Sequence, residues 1–387
     1  MAGLAGLKEK LKKVDLKGLK EKAMSLVVGP QDIIGIDIGS HAVKVAAIKK
    51  VKDKLTLHSW GYLPLDPKPE ATADERKQQT INLLKAFLIQ KNVQIKNVAT
   101  SISGNAVIVR YVKFPLLTKN EFKATLATEA EPFIPFDINE VQLGFHILGE
   151  LVEEGQKKME TVLVAAKKEA VQMRVEVLQS LGLKPTIIDV DSFALENVYE
   201  RMAEAGTGGG ATLLLNVGHS VTNLSIIEEG VTRVVRDILI SGNTFTRAIM
   251  KSLQCEFPKA EEAKKAFGIL VDPEEKEKAL QAGQREALGV SQAVTTVLKD
   301  MVGELHRSVD FYLSQGPERS IGRIVLSGGS AGMKNMARHL AAELKVPVSV
   351  LDPFACLSEL PADIPKEIAP GLGVAVGLAL RSNRDWE

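Results

Sequence analysis

The chain is short of the residues and patterns that announce a chemistry on their own. It has only two cysteines, Cys255 and Cys356, far apart and without metal-ligand spacing. Neither a disulfide framework nor a thiolate metal site is expected, and both read as free thiols in a reducing compartment. An excess of one charge is missing too: 49 Lys and Arg against 48 Asp and Glu leave a net +1, which argues against a dedicated nucleic-acid binder with its basic face. No apolar run reaches the roughly 18–20 residues that span a bilayer, and the N-terminus has no uninterrupted apolar core of the signal-peptide kind. A cytoplasmic location is the expectation. Also absent are the GxxxxGKS/T and GxGxxG loops that open a helix onto a phosphate. What remains is an ordinary globular composition of 387 residues, 45% hydrophobic and 25% charged, long enough for two or more cored domains.

The most informative stretch is 35–48, Gly-Ile-Asp-Ile-Gly-Ser-His-Ala-Val-Lys-Val-Ala-Ala-Ile. An apolar strand carries Asp37, turns at Gly39-Ser40-His41 and resumes as a second apolar run bearing Lys44. Taken alone it has two readings. One is a plain Gly-Ser hairpin at a sheet edge. The other is a phosphate-holding hairpin, in which a turn without Cβ lets backbone N–H groups approach the oxygens, Lys44 adds a compact positive charge, and Asp37 faces the metal that accompanies a nucleotide. Residues 213–227, Leu-Leu-Leu-Asn-Val-Gly-His-Ser-Val-Thr-Asn-Leu-Ser-Ile-Ile, support the second reading. Aligning Asp37 with Asn216 places Gly39 on Gly218, Val45 on Leu224 and Ile48 on Ile227, a recurrence after 179 residues. The chain reads as internally duplicated, with two glycine hairpins around one interdomain cleft.

Residues 1–28 differ from everything after them, with seven lysines against Glu9, Asp15 and Glu21, and with Leu4, Leu7, Leu11 and Val14 on one helical stripe. This basic amphipathic helix is either a solvated tail or a surface anchor on anionic lipid or a docking helix. The expected organisation is an N-terminal segment at 1–30, a first domain at 31–104 and 182–205, an inserted β-α-β-β-α subdomain at 105–181, and a second domain at 211–368 whose part at 243–321 is mainly helical. A hinge helix and C-terminus follow at 369–387. Gly206-Thr-Gly-Gly-Gly210 is the flexible joint, and the small-residue helix 369–380 is placed where the halves meet.

Within the insert, helix 119–130 leads into Glu129-Ala-Glu-Pro-Phe-Ile-Pro-Phe136, an apolar loop that is either buried core or an exposed docking edge. Strand 323–326 runs into Ser327-Gly-Gly-Ser330 and a helix at 333–344, a turn that a flat ligand or phosphate can approach closely. Glu261 and Lys264 stand at i, i+3 on one helix, as an ion pair or as ligand contacts. Asp191 precedes a helix expected at 192–205 and either caps it or orients a water.

Two glycine hairpins, a later Ser-Gly-Gly turn and two small-residue helices, in this order, resemble the actin-like ATPase superfamily over nearly all of 33–380. The resemblance implies an α/β fold of two duplicated domains around a nucleotide cleft, with ATP and Mg2+ as cofactors. It puts Asp37, Gly39, Ser40, His41 and Lys44 on phosphate in the first hairpin, and Asn216, Gly218, His219 and Ser220 in the second. Gly328, Gly329 and Ser330 would lie against the nucleoside with Glu261 and Lys264 nearby, Asp37 would hold the metal, and Asp37 and Asp191 would be the catalytic carboxylates.

The insert narrows the resemblance. Arg110-Tyr-Val-Lys-Phe-Pro-Leu116, the run from Glu129 to Val141, and Ile188-Asp-Val-Asp-Ser-Phe-Ala-Leu195 are similar to the PilM family of type IV pilus assembly proteins, an FtsA-like branch of that superfamily. This implies a cytoplasmic ATP-binding scaffold, peripheral at the inner membrane. It would hold the cytoplasmic N-terminal peptide of PilN beside the insert, with Phe114, Phe133 and Phe136 as candidate contacts. Other platform and motor proteins, and further copies of the chain, are the remaining partners implied. Active members carry an aspartate where Asn216 stands, and an amide is neutral and cannot act as a base, so slow or absent hydrolysis is expected. The alternatives are an FtsA-like membrane-tethered filament former and a sugar-kinase-like phosphotransferase, for which no catalytic aspartate stands out.

Overall fold

The structure, a computed structural model, describes residues 32–51, 54–66, 71–202, 209–361 and 363–381. The helix expected at 1–28 lies outside the described residues, as do positions 206–208 of the expected joint and the C-terminal residues 382–387. The first half runs β1 (Ile33–Ile38), β2 (Ala42–Val51), β3 (Lys54–Pro64), α1 (Ala73–Gln90) and β4 (Asn97–Ile102). The chain then leaves this sheet for β5 (Val107–Pro115), α2 (Lys119–Ala130), β6 (Val141–Glu153) and β7 (Gln156–Lys167), and returns through α3 (Lys168–Ser180), β8 (Lys184–Val190) and α4 (Asp191–Tyr199). The second half runs β9 (Ala211–Val217), β10 (Thr222–Glu228), β11 (Val231–Ile238), α5 (Gly242–Leu253), α6 (Phe257–Phe267), α7 (Pro273–Gln281), α8 (Arg285–Leu313), β12 (Ile321–Ser327), α9 (Met336–Leu344), β13 (Val348–Val350) and α10 (Gly373–Ala379).

The two main sheets are topological copies, ordered β3-β2-β1-β4-β8 and β11-β10-β9-β12-β13. In each, three strands form an antiparallel meander and two more join its first strand in parallel. The central strands β1 and β9 are apolar along nearly their whole length and buried, as strands covered on both faces must be. Between the sheets lie α4 and α10. One core joins Ala46 and Ile48 of β2, Leu195 and Val198 of α4, Leu214 of β9, Val325 of β12 and Ala375 and Val376 of α10. Two glycines permit this contact. A Cβ on Gly35 would stand 2.0 Å from Ala375 O, and one on Gly377 would stand 1.7 Å from Ala194 O.

The insert is a three-stranded antiparallel sheet, β5-β7-β6, covered by α2 through Phe114, Phe122, Met159 and Leu163. A capping box starts α2: Thr118 Oγ1 accepts from Glu121 N while Glu121 Oε2 accepts from Thr118 N. The helix α3, expected as part of the insert, packs on both: Val171 lies against Val107, Val109 and Val162 of the insert, while Val177 and Leu178 share a core with Ile34, Ile36, Val43 and Leu84. The inserted sheet therefore ends with β7, and α3 joins it to the first half. Three other expected helices are shorter than the sequence suggests. The helix at 192–205 is α4, ending at Tyr199; the helix at 333–344 begins only at Met336, after Asn335 takes a left-handed φ of 65°; and 369–380 divides into a 3-10 turn at Ala369–Leu372 and α10. Among the described residues no helix is long and apolar enough to cross a membrane.

Candidate nucleotide cleft

The β1–β2 and β9–β10 turns meet tip to tip. In each, the glycine amide closes the turn onto the carbonyl three residues on: Gly39 N donates to Ala42 O at 3.2 Å, and Gly218 N to Val221 O at 3.0 Å. A side chain at position 218 would collide with the backbone at Val221 O, 2.7 Å away, and one at position 39 would press on Lys44 Nζ at 2.9 Å and Ala42 O at 3.0 Å, displacing the lysine from its place. At the tips, Ser40 Oγ lies 2.7 Å from Ser220 Oγ, and the His41 and His219 rings stack with centroids 4.8 Å apart and planes 23° apart. The duplicated turns read Ser-His and His-Ser, so a tip-to-tip meeting pairs like with like. Burial lowers the pKa of both imidazoles, and with His41 beside it His219 is pushed down to about 4. The stack is therefore neutral around pH 7.

Below the tips each hairpin carries a polar pair at one register. Asp37 and Lys44 face each other across β1 and β2, with Nζ 3.0 Å from Oδ2. Burial works against the Lys44 charge, but the attraction and hydrogen bond of Asp37 outweigh it and hold its pKa above the ordinary value. At the equivalent positions of the second hairpin Asn216 Nδ2 donates to Asn223 Oδ1 at 2.8 Å. Asn223 Nδ2 donates in turn to Asp237 Oδ1 at 2.7 Å, and Asp237 Oδ2 accepts from Gly104 N at 2.6 Å. Asn216 is thus turned into a buried ladder across the second sheet.

Asp191 lies in the first turn of α4. The cap position is Val190, without a side-chain cap bond, so Asp191 does not cap the helix. Burial, and then the charge of Asp37, push its carboxyl up to about 6, against the pull of Ser101, Ser103 and Lys44. Its strand neighbour Asp189 is engaged elsewhere, accepting from Arg381 Nε at 2.7 Å. Arg174 of α3 reaches the same floor, donating to Ile38 O at 2.9 Å and to Ser101 O at 3.2 Å. Tyr62 of β3 borders it, its phenol pKa raised by burial and reached by the charges of Lys44, Glu261 and Asp37.

The opposite wall begins at α5. Ser241 Oγ and Asn243 N both donate to His219 O at 2.8 Å, and Gly242 N donates to Gly218 O at 2.8 Å, so the start of the helix clamps the second hairpin. Glu261 and Lys264 form the ion pair at 2.6 Å, and Lys264 Nζ also donates to Thr246 Oγ1 at 2.9 Å and Gly242 O at 3.2 Å. In the Ser-Gly-Gly turn, Gly328 has φ 88° and backs onto Val217 O and Asn216 Oδ1, leaving no room for a side chain, whereas Gly329 is open. Ser330 N donates to Val217 O at 3.1 Å.

The structure thus gathers Asp37, Gly39, Ser40, His41, Lys44, Asp191, Gly218, His219 and Ser220 in one place, with Glu261, Lys264 and Gly328–Ser330 behind the second hairpin. Sequence reasoning missed Arg174, Tyr62, Asn223 and Asp237. Asn223 was accessible to it, because it stands 179 residues after Lys44. The apolar loop divides. Phe114 is buried against Phe122, with centroids 4.9 Å apart, and so is no surface contact. Phe133 is 39% exposed and meets Phe114 edge-on, and Phe136 is half-buried under Lys167 Nζ, 5.1 Å from its ring centre.

The family model of the type IV pilus assembly protein PilM matches residues 35–383. The chain belongs to the PilM family. A solved structure of a PilM–PilN type IV pilus biogenesis complex is similar at 28% identity and a TM-score of 0.75, covering 90% of this chain and 98% of that one. At lower similarity stand the ethanolamine utilization protein EutJ from Carboxydothermus hydrogenoformans (13% identity, TM-score 0.49, 91% and 90% covered) and MreB5 of Spiroplasma citri bound to ADP (14%, 0.46, 90% and 94%). This PilM-family chain has the duplicated actin-like ATPase fold, two matching sheets around two helices with an inserted sheet on the first half.

Proposed function

We propose that the chain is a cytoplasmic ATP-binding scaffold of the type IV pilus inner-membrane platform, holding the cytoplasmic N-terminal peptide of PilN with slow or no ATP hydrolysis. The observation that carries the partner is the likeness to PilM in a PilM–PilN complex over 98% of that chain. The nucleotide reading rests on the paired hairpins and their Asp37–Lys44 pair. The donor set fits Mg2+, which takes one or two carboxylates and completes its shell with phosphate oxygens and water; Asp37 and Asp191 are the carboxylates at hand. Bound ATP would supply anionic oxygens, for which Lys44, Lys264 and Lys265 are cations whose charges reach the paired turns. Asn216 cannot accept a proton, and its amide is already engaged by Asn223, which leaves Asp191 as the group able to orient a water.

The test uses the full chain and a synthetic peptide of the PilN N-terminus in a calorimeter, with and without ATP and Mg2+. One-to-one binding of the peptide is expected, as is saturable binding of ATP. No peptide binding in either condition defeats the scaffold reading, and phosphate release faster than about one per second, within the ordinary enzyme range, defeats the slow-turnover part.

A further inference from the structure

The helix α3 touches two places at once. At its start, Lys168 Nζ donates to Asn139 O at 2.7 Å and the preceding Lys167 lies over the Phe136 ring, so its first turn is tied to the loop that follows the apolar stretch 129–136 of the insert. Six residues on, about 9 Å along the helix axis, Arg174 donates to Ile38 O and Ser101 O. Ile38 ends β1 directly before Gly39, Ser101 is the last residue but one of β4, and the charges of Asp191 and Asp37 reach the guanidinium. Beyond these contacts Val177 and Leu178 anchor the helix in the first core. A single rigid helix therefore spans from the surface loop of the insert to the base of the first hairpin. The planar guanidinium holds two strand ends at once, a role that a point charge fills poorly.

We propose that Arg174 is a positioning residue of the nucleotide cleft, and that α3 couples the insert loop at 129–140 to the first hairpin through it. This rests on the nucleotide reading above. A ligand that settles on the loop would shift the helix start, and the shift would reach Ile38 and Asp37 through Arg174; by linkage, nucleotide on the hairpin would change affinity at the loop by the same factor.

The experiment measures ATP–Mg2+ affinity, and PilN-peptide affinity with and without ATP–Mg2+, for the full-length protein and its Arg174→Ala, Arg174→Lys and Lys168→Ala variants, each checked for folding by circular dichroism. Arg174→Ala is expected to weaken ATP about tenfold, less than two bonds from a charged donor would give if their whole loss fell on binding rather than on the fold, and to bring the two peptide affinities together, their ratio falling toward unity, with Arg174→Lys restoring only part of the ATP affinity. Lys168 is exposed, and its replacement is expected to leave ATP affinity unchanged while reducing the ratio. If the unaltered protein does not bind ATP, the nucleotide reading itself fails. If it binds ATP but its peptide affinity is indifferent to nucleotide, or if Arg174→Ala retains both ATP affinity and ratio, the inference is overturned. Should Arg174→Ala not fold, an unchanged ratio in Lys168→Ala overturns it alone.

Discussion

Asn216 Nδ2 donates to Asn223 Oδ1 at 2.8 Å across the pair of positions at which, 179 residues earlier, Lys44 donates to Asp37, so the bond runs the opposite way between equivalent strands. The two hairpins share a geometry and differ in charge. Asn216→Asp would set a carboxylate against the Asn223 carbonyl oxygen, so Asn223 has to turn and surrender its bond to Asp237, at a cost of about 1–3 kcal/mol. A lower melting temperature is expected for this variant. The double variant Asn216→Asp, Asn223→Lys rebuilds the pair of the first hairpin and is expected to recover most of the loss; a double variant no more stable than the single one removes the equivalence.

A second junction titrates near neutrality. Glu196 of α4 accepts a hydrogen bond from Thr232 of β11, with Tyr111 of β5, Arg233 of β11, Glu200, Asp189 and Arg381 around it. Burial pushes its carboxyl to about 7, and the Thr232 bond pulls the other way. A carboxyl whose folded pKa is raised stabilises the fold fully below its unfolded value near 4.5, and that contribution is lost as pH rises through about 7. Asp191, raised to about 6, acts in the same direction. These two carboxyls therefore favour pH 5 over pH 8, against the opposite contribution of His41 and His219, and the difference between the urea-unfolding stabilities at pH 5 and pH 8 is compared between the unaltered protein and a variant. Glu196→Gln should reduce the difference by at most about 3 kcal/mol, and an unchanged difference would remove Glu196 as the source.

Much of this architecture was legible because duplication leaves two independent copies of one pattern. Gly39 and Gly218 gave the turns, and the alternation around Asp37 and Asn216 gave the central strands. The placement of Arg174 was not legible, since nothing in Met173-Arg-Val distinguishes a half-buried guanidinium held by two carbonyls from a solvated one on an amphipathic helix; only the packing of Val177 and Leu178 against β1 turns that face inward. Phe114 was misjudged for a related reason. A strand in a three-stranded sheet has one covered face, and the sequence does not say which face α2 covers.

The His41–His219 stack carries the opposite pH sign to Glu196. Both imidazoles have lowered pKa values, so the contact is stable above about 6.5 and is lost as pH falls toward 4, when protonation puts two like charges face to face. Histidine ring resonances followed by NMR should show His219 titrating near 4. Because the charge of His41 is part of that depression, His41→Gln should move the His219 midpoint upward. A midpoint near 6.5 in the unaltered protein would mean that the tips do not meet in solution.

The contact between α4 and α10 makes the sharpest packing prediction, because it depends on an absent atom. A Cβ at position 377 would sit 1.7 Å from Ala194 O, and the obstacle is backbone on a buried helix, which cannot give way as a side chain can. Gly377→Ala therefore has to push α10 off α4, opening the core that Leu195, Val198, Ala375 and Val376 share with both sheets, at a cost on the order of 3 kcal/mol or more. Gly144 on β6 has nothing within 4 Å of the same virtual atom, so Gly144→Ala should change stability by no more than about 0.5 kcal/mol. Paired denaturant titrations decide it: near-equal midpoints for the two variants would mean that α4 and α10 stand far enough apart to admit a methyl group. A loss confined to Gly377→Ala, with weaker ATP binding alongside, would place the joint between the halves at this glycine, since β1 and its hairpin rest on α10 through Gly35.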